Sequence, residues 1–296
     1  TCLMPVKVLN SSGSGTYANV AKGIRYAADN GAKVINLSLG GSSDSTTLKD
    51  AVAYAYQKGV TVAAACGNDN ETKCLYPAAY DDYVIAVGAT QYDETKAPYS
   101  SYGPSLDLVA PGGNNDLDQN NDGYADGVLQ QTFKNSWQVC DFAYYFFQGT
   151  SMATPHVSGV AALLLAKGNA TNPDEIRAAL QETAEDKGVT GRDDTYGWGL
   201  VDAQAALKWT FKDTTPPTVT INKPVDGSVT NSQEVKFTVK DNVNVDEATI
   251  VVTINSATST VFDPATHCTA GTTEVPCSYK ETGIVEGSNT LTVDAK

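Results

Sequence analysis

The sequence predicts an α/β domain, a parallel sheet with helices on both faces, followed by a small all-β domain. Two observations predict it. From residue 1 to about 207, short runs that are apolar throughout alternate with longer stretches of helical periodicity. Strands of that kind, separated by helices, belong to a parallel sheet covered on both faces. After Asp213-Thr-Thr-Pro-Pro217 the helical stretches cease, and β-branched runs punctuated by Gly, Asn, Asp and Pro take over. That is the pattern of a sandwich of short strands.

The elements follow in chain order. Residues 2–9 (Cys-Leu-Met-Pro-Val-Lys-Val-Leu) read as a buried strand. Ala18–Asn30 reads as a helix, then Val34–Ser38 as a strand. Ser45–Lys58 is a second helix, with Leu48, Val52 and Ala55 at helical spacing. Val60–Ala65 and Val84–Ala89 are further buried strands. The proposed division is 1–212 for the α/β domain, 213–217 for a stiff Pro/Thr linker and 218–296 for the β domain. Within the last, Val219–Ile221, Val235–Val239, Ile250–Ile254 and Thr290–Val293 read as strands. Both termini read as cut through strands, so the expectation is a piece of a longer protein.

Composition excludes several classes. The 296 residues carry a net charge of −14, which argues against a nucleic-acid binder, since that needs a basic footprint. It suits an extracellular protein that holds hard cations. No apolar run is long enough to span a bilayer, and no stretch has the pattern of a signal peptide. Hydrophobic residues at 41% are enough for a buried core.

Six cysteines stand at Cys2, Cys66, Cys74, Cys140, Cys268 and Cys277. Their spacing fits no zinc motif. Cys268 and Cys277 flank a Gly-Thr turn and are placed to bridge a hairpin. Cys66 and Cys74 bracket a loop and pair with each other, or either pairs with Cys140. The alternative is that Cys2 and Cys66 are buried thiols on strands. Disulfides would indicate an oxidising compartment.

The strongest chemical signal is Gly149-Thr-Ser-Met-Ala-Thr-Pro-His156, followed by Val157-Ser-Gly-Val-Ala-Ala-Leu-Leu-Leu165. Small residues before Ser151 permit close approach of backbone and substrate. Ser151 then opens a helix that reads as apolar nearly all round, hence buried. A serine there sits among free N–H groups at the positive end of the helix dipole, where developing negative charge is stabilised. Pro155 falls in the first turns, where its missing N–H costs little. The competing reading is an ordinary N-cap serine.

This octet closely resembles the nucleophile motif of the subtilisin-like serine peptidases, the subtilase family. The resemblance implies that Ser151 is the nucleophile of an acyl-enzyme mechanism. It also implies that His156 is structural. His156 lies five residues on, about 500° of helical rotation from the serine. His267, the other histidine, falls in the β domain.

Further segments match the family in order. Val60-Thr-Val-Ala-Ala-Ala-Cys-Gly-Asn68 resembles the strand whose terminal asparagine amide completes the oxyanion hole, which implies that role for Asn68. Ser38-Leu39-Gly40-Gly41 and Gly13-Ser14-Gly15 resemble the two walls of the substrate cleft, which bind extended peptide as added strands. Tyr76-Pro-Ala-Ala-Tyr80, Ser100-Ser-Tyr-Gly103, Val109-Ala-Pro-Gly112 and Tyr196-Gly-Trp-Gly-Leu-Val-Asp-Ala203 also match. Residues 214–296 resemble the immunoglobulin-like accessory modules of secreted bacterial enzymes. The resemblance therefore implies peptide or protein substrates and a secreted, bacterial setting.

The sequence departs from the family in one respect. The triad Asp turn and the His-Gly-x-His segment do not occur, and both would precede residue 1. A serine without its base is a poor nucleophile. The chain alone is therefore expected to be nearly inactive, with Asp and His on a missing N-terminal segment. The alternatives are a pseudoprotease or peptide-binding module, or a surface protein working through the β-sandwich.

An insertion between Pro111-Gly-Gly113 and Gly149 carries Asp118, Asn120, Asp122, Gly123, Tyr124 and Asp126. Alternating oxygens before a glycine turn are the pattern of a calcium loop, with Tyr124 offering its carbonyl. Leu129 stands where an EF-hand has glutamate. Calcium is the expected ligand, and a solvated acidic loop the alternative.

Overall fold

The computed structural model describes residues 2–134, 141–210, 218–223, 234–240, 250–254, 257–258, 262–269, 274–280 and 291–294. The chain divides into two compact units, Thr1–Phe211 and Lys212–Lys296. Linker residues 213–217 and Cys140 lie outside the described residues.

The first unit is built on four parallel strands: β1 (Val34–Leu37), β2 (Thr61–Ala65), β3 (Val84–Thr90) and β4 (Leu108–Pro111), in that spatial order. Ladders run Val34↔Thr61, Val62↔Val84 and Val87↔Leu108. The period-2 alternation of strand side chains sorts the core into two clusters. Val62, Ala64, Val84 and Ala86 face helices α1 (Tyr17–Asp29) and α2 (Thr46–Gln57), through Val20, Ile24, Leu48 and Val52. Ala63, Ile85, Val87 and Leu108 face α3 (Thr150–Lys167) and α4 (Pro173–Glu182), through Ala153, Val157, Leu164, Ile176 and Leu180. Both faces are covered, which is why β2 and β3 are apolar throughout. Local caps set the helix starts. Thr16, Ser45 and Asn172 accept the N–H of Asn19, Leu48 and Glu175 respectively.

Two expectations are corrected. Residues 2–9 join no ladder among the described residues, and Leu3 is 92% exposed. Val6, Val8 and Leu9 are partly buried, Val6 and Val8 packed on the α1 side of the core. Gly23 of α1 makes room for them, since a Cβ there would meet both valine side chains. The composition is that of a strand, but a ladder needs a paired edge. Helix α3 is not buried all round either. Pro155, His156, Gly159 and Leu163 form an exposed face, Leu163 at 48%, because the helix has the sheet on one side only.

The insertion holds a two-stranded antiparallel hairpin, β5 (Val128–Phe133) and β6 (Phe142–Phe147), which leads into α3. The short helix α5 (Ala203–Ala206) closes the unit.

Among the described residues, the second unit contains two antiparallel three-stranded sheets. One orders β11 (Glu274–Lys280), β8 (Glu234–Lys240) and β7 (Thr218–Lys223). The other orders β10 (Ala257–Thr258), β9 (Val251–Ile254) and β12 (Leu291–Asp294). A one-turn helix α6 (Pro264–His267) precedes β11. Val235, Phe237, Val239, Val252, Val275 and Val293 form its core. The disulfides Cys66–Cys74 and Cys268–Cys277 are formed, and Cys2 is an exposed free thiol, not a buried one.

Candidate functional site

The carboxyl ends of β1 and β2 and the start of α3 converge. Gly149 is the N-cap of α3, at φ 144°, and supplies no side-chain cap. Its N–H donates to Gly112 O at 3.0 Å and to the Tyr99 hydroxyl at 2.9 Å. Tyr99 in turn donates to Gly113 O at 2.7 Å, and burial pushes its phenol up to about 12. The turn before the serine is thus held on both sides. Ser151 is the second helical residue, and its side chain does not cap the helix.

The Ser151 hydroxyl donates to Ser38 O at 3.3 Å, and the Ser38 hydroxyl donates back to Ser151 O at 2.8 Å. The Asn36 amide donates to the Ser38 oxygen at 3.0 Å, and Ser158 of α3 donates to Asn36 Oδ1 at 3.0 Å. A chain of hydroxyl and amide groups therefore ties the first turns of α3 to the end of β1. Sequence reading missed Asn36 and Ser158. A polar residue inside an apolar strand and another inside an apolar helix were the available signal; Ser158 is buried and needs a partner, and the exposed Asn36 supplies it.

Asn68 follows β2. Its Oδ1 accepts the Thr150 N–H at 2.8 Å and the Thr150 hydroxyl at 2.9 Å. The fully buried Thr150 also accepts the Gly67 N–H at 3.3 Å. An amide whose oxygen is held by two donors presents its NH₂ on the other side, as a neutral donor that does not titrate.

Gly13, Ser14, Gly15, Ser38, Leu39 and Gly40 all line one cavity of about 350 Å³. Leu9, Tyr17, Val20, Leu48 and Tyr76 complete it and were not singled out from sequence. Leu48 carried only helical spacing and Tyr17 fell just outside the predicted helix Ala18–Asn30, and a helix face does not announce which cavity it lines. The glycines of the Ser38–Gly41 wall answer to packing as well as to an incoming peptide. A Cβ on Gly40 would meet the Leu75 Cβ at 2.8 Å, and one on Gly41 would meet the Tyr17 hydroxyl. Gly41 and Tyr76 exchange two backbone bonds of 2.9 Å.

Neither histidine bonds to Ser151. His156 Nδ1 lies 2.9 Å from Met152 O on the exposed side of α3, and His267 belongs to the second unit. Among the described residues the Ser151 hydroxyl has one hydrogen-bond partner, the Ser38 carbonyl.

The acidic loop turns its side chains inward. Asp118 accepts the N–H of Asp122 and Gly123 at 3.1 and 3.0 Å, and Asn120 Oδ1 accepts the Asp122 N–H at 3.0 Å. Asp122 accepts the Tyr124 N–H at 2.9 Å, and Asp126 accepts the Gln119 N–H at 2.5 Å. The donor set is oxygen throughout and suits a hard cation, and each carboxylate keeps lone pairs beyond those used. The Gln119 Oε1 beside it is buried without a partner. Among the described residues no cluster of three or more Asp, Glu, His or Cys converges on one point.

A buried parallel sheet whose strand ends gather a helix-start serine, a clamped asparagine amide and a peptide-sized cleft defines a domain of the α/β serine-peptidase class. The subtilase family model matches residues 2–199, and the chain belongs to that family. It is 43% identical over 206 residues to M-protease of Shouchella clausii, covering 70% of this chain and 48% of that protein. Thermitase of Thermoactinomyces vulgaris is 41% identical, covering 70% of this chain and 65% of its own length. Subtilisin Savinase of Lederbergia lenta is 42% identical, with 70% and 68% covered. Among solved structures, a protease of Pseudoalteromonas arctica superposes with a TM-score of 0.60 at 35% identity, covering 68% of this chain and 61% of that one. The chain thus spans about half to two thirds of the relatives it matches. Among the described residues no helix is long and apolar enough to cross a membrane.

Proposed function

We propose that this chain is the larger part of a secreted bacterial serine endopeptidase. Ser151 attacks the scissile carbonyl, and the Asn68 NH₂ stabilises the oxyanion. The extended substrate lies between Gly13–Gly15 and Ser38–Gly40. The base and its orienting carboxylate come from polypeptide outside residues 1–296. The observation that carries this reading is the double clamp of Thr150 on Asn68 Oδ1, which frees the amide NH₂ for an oxyanion next to the nucleophile turn. The fixed donor needs no reorganisation when charge develops.

The experiment has two arms. Residues 1–296 alone are expected to leave a peptide ester intact. The same chain expressed with its preceding coding sequence is expected to hydrolyse it and to lose that activity with Ser151→Ala. Hydrolysis by residues 1–296 that Ser151→Ala abolishes would overturn the division of the triad. No Ser151-dependent hydrolysis by the longer chain would favour the second reading, a pseudoprotease that binds peptide.

Two further assignments belong to the proposal. Asp118, Asn120, Asp122, the Tyr124 carbonyl and Asp126 hold a structural Ca²⁺, and their all-oxygen chemistry supports it. The second unit is an immunoglobulin-like module, supported by its two antiparallel sheets around one apolar core.

A further inference from the structure

The β5–β6 hairpin exposes an apolar face that the fold leaves uncovered. Directly opposed residues of an antiparallel pair share a face. One face therefore carries Leu129 with Phe146, Gln131 with Tyr144, and Phe133 with Phe142. Leu129 is 54% exposed, Phe133 and Phe142 are each 51%, and Tyr144 is 67%. Phe133 and Phe142 stack at 5.2 Å, and Tyr124 lies against Phe146 at 6.0 Å, so the face is an ordered aromatic stripe. No third strand pairs with the hairpin among the described residues. A two-stranded ribbon is marginal in water, and a contiguous exposed apolar patch marks an interaction site.

Position and charge identify the occupant. The stripe ends at Phe146, and the chain then runs through Phe147, on the opposite face of the hairpin, and Gln148 to Gly149, Thr150 and Ser151, so the hairpin leads directly into the turn that carries Ser151. Its root is pinned to the acidic loop by Asn115, whose side-chain amide donates to Phe146 O at 3.2 Å and whose backbone N–H donates to Gln148 Oε1 at 2.6 Å. The loop that carries Asp116, Asp118, Asp122 and Asp126 abuts that root through Asn115 and through Tyr124, in a chain of net charge −14. A divalent cation held there would halve the local charge without reversing it.

We propose that the aromatic face of the β5–β6 hairpin is an exosite for protein substrate. It takes an extended segment in which apolar side chains alternate with lysine or arginine. This rests on the peptidase reading. The period of two in an extended chain places every second side chain on the stripe. The remaining cationic side chains answer the acidic root and the field of the whole protein.

The test is binding, which needs no active triad. Fluorescence anisotropy is measured for a labelled peptide of alternating tyrosine and lysine, with its tyrosine–glutamate counterpart as control. Residues 1–296 are expected to bind the lysine peptide at least about tenfold more tightly than the glutamate peptide, and more weakly in high salt. The variant Phe133→Ser/Phe142→Ser/Tyr144→Ser is expected to lose about tenfold or more in affinity. The single variant Leu129→Lys, a milder change, is expected to lose affinity in the same direction, whereas Tyr17→Ala in the cleft leaves binding unchanged. Equal binding by the hairpin variants and the unmodified chain would overturn the exosite. Loss only with Tyr17→Ala would assign the peptide to the cleft and also overturn it. So would a dimer in sedimentation that the triple variant converts to monomer, because a second copy would then own the face. Failure of Ser151-dependent hydrolysis with hairpin-dependent binding intact would sink the peptidase reading alone.

Discussion

Thr150 gives both its backbone N–H and its hydroxyl to the Asn68 side-chain oxygen, at 2.8 and 2.9 Å. The residue before Ser151 thus fixes the orientation of the Asn68 amide, which the proposed function assigns to the oxyanion. The Thr150 hydroxyl also accepts the Gly67 N–H and so links two groups, the Asn68 side-chain oxygen and the Gly67 amide.

Replacing that hydroxyl by a methyl keeps the shape and strands its partners. Thr150→Val is expected to destabilise residues 1–296 by about 1–3 kcal/mol, the cost of leaving buried polar groups unpaired. Urea unfolding of the two chains measures it. An unchanged midpoint and slope would mean that water or a shifted Asn68 replaces the hydroxyl.

Asp107 gives a pH dependence with a definite sign. It is fully buried beside Arg177, whose Nε lies 3.6 Å away, and it accepts from Ala86 N and Gln181 Nε2 at 2.7 Å each. Burial pushes its carboxyl up to about 6, against the opposing pull of Arg177. A carboxyl raised in the folded state contributes stability below its unfolded value, near 4, and loses that contribution as pH rises through about 6. The stability of the unmodified chain minus that of Asp107→Asn is expected to fall by about 3 kcal/mol between pH 4 and pH 7. Chemical denaturation across that range tests it, and a difference that rises with pH would reverse the assignment.

The Cys66–Cys74 bridge closes a loop of sequence separation 8 that carries Asn68. On chain-entropy grounds, Cys66→Ala/Cys74→Ala is expected to cost about 2.5 kcal/mol. Thermal unfolding reads the loss. The same loop is also tied by Ser101 N to Gly67 O at 3.0 Å and Asn70 N to Tyr99 O at 2.8 Å, so the domain is expected to fold without the bridge.

Calcium at the acidic loop is expected to raise the melting temperature of residues 1–296, by about 2.7 kcal/mol of stability at a hundredfold excess over the dissociation constant. Calorimetric titration would show saturable heat, lost with Asp122→Ala. Absence of heat at millimolar calcium removes the metal and leaves a loop held by its own Asx turns.

Much of this protein was legible in the sequence because the signals are local. A strand covered on both faces must be apolar throughout, and β2 and β3 are. The helices α1 and α2 lie where the helical stretches predicted them, but their N-caps Thr16 and Ser45, short hydroxyl side chains that satisfy an N–H the helix leaves open, were not read as such. Asn172-Pro-Asp-Glu carried the same kind of start signal for α4 and was passed over. The octet around Ser151, the Gly-Asn at the end of β2 and the two glycine-rich segments stood out in the sequence because small residues in a fixed order are a local signal, and the structure gathers the two glycine-rich segments at one cavity and Asn68 beside Thr150. Tertiary structure alone decided the rest. It left residues 2–9 without a ladder, because a strand exists only with a paired edge. It brought Tyr17 and Tyr76 into the cleft, and Asn36 and Ser158 behind Ser151, because contacts across the sheet have no period in the chain. And it exposed the aromatic face of the hairpin, because composition records that a residue is apolar but not whether anything covers it.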